Sequence, residues 1–233
     1  QSGKAVMQHA EAKRMGMTNS QFGTSNGWPD AGRTMVTAKD LATLAVSSVR
    51  DYPDLYRKFY QQKEFSWGKT MGKGDAIVQS NRNPILGRIP GADGLKTGHT
   101  DEAGYGFTGS AEQNGRRLVM VVAGLDSFNA RITESVKFME WGFKAWASKP
   151  LFAKGAQVDL AKVKGGAESK VPLIAQQAIG ITYPAGMGAP KYTTKVVYTG
   201  DVDAPIKAGQ HIADLVISTS GLPASTVPLV AGA

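Results

Sequence analysis

The chain has 233 residues and a formal charge of +8, with 42% of residues hydrophobic and 20% charged. That is room for one large domain or two modest ones with a real core, and no apolar run reaches the ~18 residues a membrane-spanning helix needs. Cysteine is absent, which excludes disulfides, thiol catalysis and cysteine-ligated metals together.

The basic residues are scattered rather than gathered into a Lys/Arg block, so they read as a solvated surface and no nucleic-acid partner is expected. No charged-then-apolar leader opens the sequence, and any export signal is expected to have been removed already.

In chain order, "KAVMQHAEAKRMG" reads as a helix closed by Gly16. "TAKDLATLAVSSVRDYP" opens with Thr37 as N-cap, has Asp40 three residues on, and stops at Pro53. "WGKTMGKG" ends like a phosphate-binding loop, but Lys63 stands where the first glycine is required, so a loop or hairpin near Trp67 is the better reading. "GYGFTGSAEQNGRRLVMVVAGL" gives two strands joined at Asn114-Gly115, a pair suited to positive φ. Lys96 falls on or at the end of a strand of the same sheet. Ile132, Val136, Met139, Phe143 and Trp146 recur at steps of four and three, marking one buried helix face.

Composition changes near "SKPLFAKG". All nine arginines and all four tryptophans lie before residue 151. Residues 1–150 and 151–233 are therefore read as two domains, with Pro150 and Gly155 bracketing the junction. Short segments such as "SKVPLIAQQAIGITYPAG" and "TTKVVYTGDVDAPIKAGQHIADLVIS" predict a small all-β sandwich or partly open barrel, a spacer or interaction module with His211 as its one histidine.

His9, His99 and His211 are too dispersed to suggest a metal centre. No G-x-S-x-G turn supports a Ser/His/Asp triad. "GLKTGHTDEAGYGFTGSA" is more informative. The Lys96 ammonium supplies charge, the Thr97 hydroxyl a directional hydrogen bond, and Gly98 room for another backbone, a combination suited to a peptide carboxylate.

"NRNPILGRIPGADGLKTGHTDEAGYGFTGSA", "RRLVMVVAGL" and "ITESVKFMEWGF", preceded by "AKRMGMTNSQFGTSNGWPD" and "TAKDLATLA", resemble low-molecular-mass penicillin-binding proteins of the D-alanyl-D-alanine carboxypeptidase type. The resemblance covers most of residues 4–146, and the β-rich remainder resembles the family's carboxy-terminal domain. It implies an α+β fold: the C-terminal portion of a penicillin-binding/β-lactamase-like domain, an antiparallel sheet with helices, followed by a small all-β domain.

The family is defined by S-x-x-K, S-x-N and K-T-G elements. Lys96, Thr97 and Gly98 match the third and are thereby expected to bind the terminal carboxylate of a D-Ala-D-Ala stem peptide or of a β-lactam. Arg82, in "NRN", matches an arginine at the edge of the family's site, and His99 is a candidate supporting residue. The mechanism implied is serine acyl-enzyme hydrolysis, with no metal or cofactor. The implied setting is periplasmic or cell-surface, at the outer face of the cytoplasmic membrane. Membrane attachment would use an anchor absent from this chain, since "STVPLVAGA" stops where family members often continue into an amphipathic helix.

The departures from the family pattern are large. An S-x-x-K opening an apolar helix and an S-x-N ahead of K-T-G, the places the family gives them, are not found, so no catalytic residue is assigned. Ser66-Trp67-Gly68-Lys69 has the right letters, but Gly68 disfavours a helix there and the match reads as coincidence. "QSG" at residues 1–3 is at most the start of an S-x-N element. The chain alone is therefore expected to be inactive. The rival reading is a non-catalytic cell-wall or protein-binding module on a degenerate scaffold. Endopeptidase and β-lactamase activities keep the chemistry and change the bond.

Overall fold

The computed structural model describes residues 3–24 and 26–232. Ser2, at the candidate S-x-N start, lies outside them. Two compact units are formed, Gln1–Phe143 and Lys144–Ala233.

In the first unit, α1 (Gly3–Arg14) ends at Gly16, whose φ of 81° reverses the chain. Helix α2 (Ala38–Asp51) is capped by Thr37, whose Oγ1 accepts from the Asp40 amide at 3.1 Å. The buried Asp40 carboxylate accepts from Ser20 Oγ at 2.7 Å and from the Asn19 amide at 2.9 Å, which ties the loop after α1 to this helix. Pro53, expected as a stop, also opens a further helix, α3 (Pro53–Tyr60). The first position of a helix has no use for the missing N–H.

Strands β1 (Glu64–Lys69) and β2 (Ala76–Ser80) form the hairpin around Trp67. Ser66 sits in β1 opposite Val78, within extended backbone.

The central element is an antiparallel sheet of β3 (Ala92–Thr100), β4 (Gly104–Gln113) and β5 (Arg116–Leu125). Asn114 and Gly115 make the β4–β5 turn with φ of 51° and 74°. Helix α4 (Phe128–Lys144) packs on one face, where Met139, Val136 and Phe143 meet Phe107, Ala111 and Met120. On the other face Leu95 and Val119 meet Ala45 and Tyr56 of α2 and α3. The sheet is thus covered by helices on both sides.

The helix face read from the sequence holds through Phe143, but Trp146 does not belong to it. The helix ends at Lys144 and Trp146 opens a strand of the second unit. Arg131 and Ser135 are also buried along α4.

The second unit is all strand apart from one short turn of helix. Strands β6 (Trp146–Phe152), β7 (Gln157–Lys162), β8 (Lys170–Ala175), β9 (Ile179–Pro184), β10 (Tyr192–Tyr198), β11 (His211–Thr219) and β12 (Ser225–Ala231) follow in order. A five-stranded sheet, β10-β11-β12-β8-β7, and the pair β6-β9 share one core of Leu173, Leu215, Ile217 and Leu229 with Ile179 and Ile181. Strand β6 runs through Pro150 and Leu151, so the second unit begins before the composition change. Among the described residues no helix is long and apolar enough to cross a membrane.

Candidate substrate-binding site

Strand β3 is held at three points. At its start the Asp93 carboxylate accepts from the Tyr56 hydroxyl at 2.7 Å and from Arg117 Nη1 at 2.9 Å. Next, Asn83 Nδ2 donates to the Gly94 carbonyl at 2.9 Å. Farther along, Arg131 Nη1 donates to the Gly98 carbonyl at 3.2 Å. Lys96 and Thr97 lie between the last two ties.

Both line a cavity of about 690 Å³ whose wall includes Arg82, Tyr105, Phe128 and Arg131. A second cavity, of about 460 Å³ and largely apolar, borders the same triplet and reaches Leu41, Leu44 and Ser48 of α2. Arg82 is exposed, in a segment bracketed by two asparagines. Asn81 Nδ2 donates to the carbonyls of Gln62 at 2.9 Å and Tyr60 at 3.3 Å, and its Oδ1 accepts from the Asn83 amide at 2.9 Å.

Arg131 is only 4% exposed. Its guanidinium lies over the rings of Tyr105, at 5.3 Å, and Phe128, at 5.2 Å, and its Nε has no hydrogen-bond partner among the described residues. Aromatic faces offset part of the cost of burying a cation. His99 stacks on Tyr105 with centroids 3.8 Å apart, and its Nδ1 lies 3.3 Å from the Gly104 carbonyl oxygen.

The resulting electrostatics are one-signed. Burial first, and then the nearby charges of Arg82 and Arg131, hold the Lys96 ammonium below the ordinary lysine pKa. Lys96 donates to the Thr97 carbonyl, yet neither Lys96 nor Arg82 forms an ion pair with a described residue. Three cations lining one cavity, without a counter-ion among the described residues, suit an anionic guest. Space is available for it, because a Cβ added at Gly98 would meet no atom within 4 Å. Gly94 is the opposite case: a Cβ there would fall 2.2 Å from the Tyr56 hydroxyl.

Lys96, Thr97, Gly98, Arg82 and His99, singled out in the sequence, all border this cavity. Ser66 and Lys69 border neither cavity. Arg131, Asn83 and Tyr105 were not anticipated. The available signal for Arg131 was a charge on the same helical stripe as Met139. The other histidines lie elsewhere: His9 Nε2 accepts from the Phe22 amide at 3.2 Å, and His211 Nε2 lies 2.9 Å from Asp214 Oδ1 in the second unit.

Residues 5–127 match the family described as D-alanyl-D-alanine carboxypeptidase, and residues 146–233 match the penicillin-binding protein 5, C-terminal domain family. D-alanyl-D-alanine carboxypeptidase DacC of Escherichia coli K12 is 32% identical over 220 residues, covering 94% of this chain and 53% of the relative. DacA of Haemophilus influenzae is 31% identical over 211 residues, covering 90% and 51%. Among solved structures, penicillin binding protein 5 from Haemophilus influenzae superposes with a TM-score of 0.71 at 28% identity, covering 98% of this chain and 64% of that one. Penicillin-binding protein D2 from Listeria monocytogenes in its ampicillin-bound form gives 0.53 at 33% identity, covering 60% and 55%. The chain spans about half the length of the curated relatives it matches.

Proposed function

The chain belongs to the D-alanyl-D-alanine carboxypeptidase family of serine peptidases, and from that premise we propose that it forms the carboxylate-recognition half of an enzyme that removes the terminal D-Ala from peptidoglycan stem peptides. The observation that carries this reading is that Lys96, Arg82 and Arg131 line one cavity together with Thr97, with open space beside Gly98. Lys96 supplies charge to the terminal carboxylate, Thr97 orients it by a hydrogen bond, and Arg82 and Arg131 deepen the positive potential.

The nucleophilic serine and its lysine come from outside these 233 residues. That serine attacks the penultimate D-Ala carbonyl, the C–N bond breaks, and the terminal D-Ala leaves with a proton on its amine. Water then hydrolyses the acyl-enzyme. β-Lactams carry a carboxylate in the corresponding place and acylate the same serine. Peptidoglycan as substrate sets the reaction outside the cytoplasm. Nothing in the chemistry calls for a metal or cofactor.

The test is to follow D-Ala release from a peptide ending in D-Ala-D-Ala, together with acylation by a labelled penicillin, in the protein carrying its nucleophile. Both are expected, and Lys96→Ala should weaken both. The 233 residues alone should bind without turnover. Absence of D-Ala release and of acylation in the protein with its serine would favour the non-catalytic module instead.

A further inference from the structure

Lys96 and Arg82 sit on different elements, a sheet strand and a loop, and both are positively charged. Like charges in one cavity push apart, and a loop yields before a strand does. Something must therefore fix their separation if both are to serve one carboxylate. We propose that Asn83 is a positioning residue that sets the gap between Arg82 and Lys96, by tying the Arg82 loop to β3 through the Gly94 carbonyl. This inference rests on the carboxylate-recognition reading above.

The geometry is specific. Asn83 is 5% exposed and uses both ends of its amide. Its Nδ2 donates to the Gly94 carbonyl oxygen at 2.9 Å, two residues before Lys96. Its Oδ1 accepts from the amides of Ile85 at 3.0 Å and Leu86 at 3.2 Å, which turns the chain so that the fully buried Ile85 enters the core. The orientation of the amide is settled by these partners, since only oxygen can face two N–H donors and only nitrogen a carbonyl.

Asn81 anchors the other end of the segment to the carbonyls of Gln62 and Tyr60. Arg82 thus stands between one tie to the end of α3 and one tie to β3. The role needs a donor and an acceptor on a short side chain. Aspartate offers only the acceptor, and serine can close the turn but does not reach Gly94.

The experiment compares a peptide ending in D-Ala-D-Ala as the free acid with the same peptide as its C-terminal amide. The ratio of the two dissociation constants reads carboxylate recognition alone. Wild type, Asn83→Ser, Arg82→Ala and the double variant form a cycle, with cooperative unfolding checked for each.

Wild type should prefer the acid. Asn83→Ser should reduce that preference on the order of tenfold, the scale of a lost hydrogen bond to a charged group, to about the level of Arg82→Ala. The double variant should lose nothing further. If Asn83→Ser keeps the wild-type ratio, or lowers it equally in the Arg82→Ala background, Asn83 does not act through Arg82 and the proposal is overturned while carboxylate recognition stands. If wild type itself does not distinguish acid from amide, the recognition reading fails and this one with it. Should Asn83→Ser not fold, Asn83→Asp, which keeps both bonds to the turn, replaces it in the same cycle: loss of preference only where Arg82 is present supports the role, and an unchanged or additive ratio overturns it.

Discussion

Arg131 Nη1 bonds the Gly98 carbonyl oxygen at 3.2 Å, joining the first turns of α4 to the strand that carries Lys96. The same guanidinium is clasped by the rings of Tyr105 and Phe128, so its position is fixed by three elements at once. Arg131→Leu keeps the apolar stem and removes charge and donor. It should weaken binding of an acid-terminated peptide about tenfold, the scale of one charge-assisted hydrogen bond. Arg131→Lys restores charge but not the planar fork and should lie between the two. Dissociation constants measured for the three proteins check the order.

Gly94 and Gly98, four residues apart on β3, should respond oppositely to a methyl group. At Gly94 the added carbon meets the Tyr56 hydroxyl at 2.2 Å and its ring at 2.8 Å, so Gly94→Ala should destabilise the first unit by about 1–3 kcal/mol. At Gly98 it meets nothing within 4 Å, and Gly98→Ala should leave stability within ~0.5 kcal/mol while weakening peptide binding. Urea unfolding and a binding titration on both variants separate the effects.

What the sequence disclosed was the chemistry that is local. Thr37 with Asp40, and Asn114 with Gly115, form cap and hairpin from a few neighbouring residues, and both read correctly. The strand placement of the triplet at 96–98 was legible too, because the hairpin that follows it extends the same sheet. Arg131 was not, since a charged helix residue ordinarily faces solvent and its burial depends on Tyr105, far away in sequence. Asn83 was hidden for the same reason: its partner at Gly94 is brought near only by the fold. Trp146 misled because helical spacing continues by chance past Lys144, where the chain becomes a strand. Pro53 was read only as an ending, although it equally suits a helix start.

Lys96 should give binding a distinctive pH dependence. Burial, Arg82 and Arg131 all hold its pKa below the ordinary lysine value of 10.5. On the proposed recognition by the Lys96 ammonium, carboxylate affinity should fall as pH rises through that depressed pKa. Arg82→Ala removes one repelling charge and should move the falling limb to higher pH, even though affinity is weaker at neutrality. For folding the sign is opposite. Between the folded and unfolded pKa values the unfolded chain holds more of the proton, so this residue makes stability rise with pH across that window. Titrations of the dissociation constant and of the unfolding midpoint against pH test both statements.

The Asp93 cluster should be the most sensitive polar point of the first unit. Tyr56, 3% exposed, and Arg117 converge on the one carboxylate, and Arg117 also bonds Ser110 Oγ and Glu112, each at 2.7 Å. Burial first, then the bond to Asp93, pushes the Tyr56 phenol above its ordinary range, which keeps it a neutral donor. Asp93→Ala strands a half-buried guanidinium and a buried hydroxyl together and should cost about 3 kcal/mol. Tyr56→Phe loses one hydrogen bond to a charged acceptor, about 1.5 kcal/mol. Glu112→Ala breaks only the exposed arm of the network and should cost less than ~1 kcal/mol. The Asp93 and Tyr56 losses should fall short of adding in the double variant, because they share a bond. Fully additive losses in urea unfolding would mean that the two side chains stabilise the unit independently.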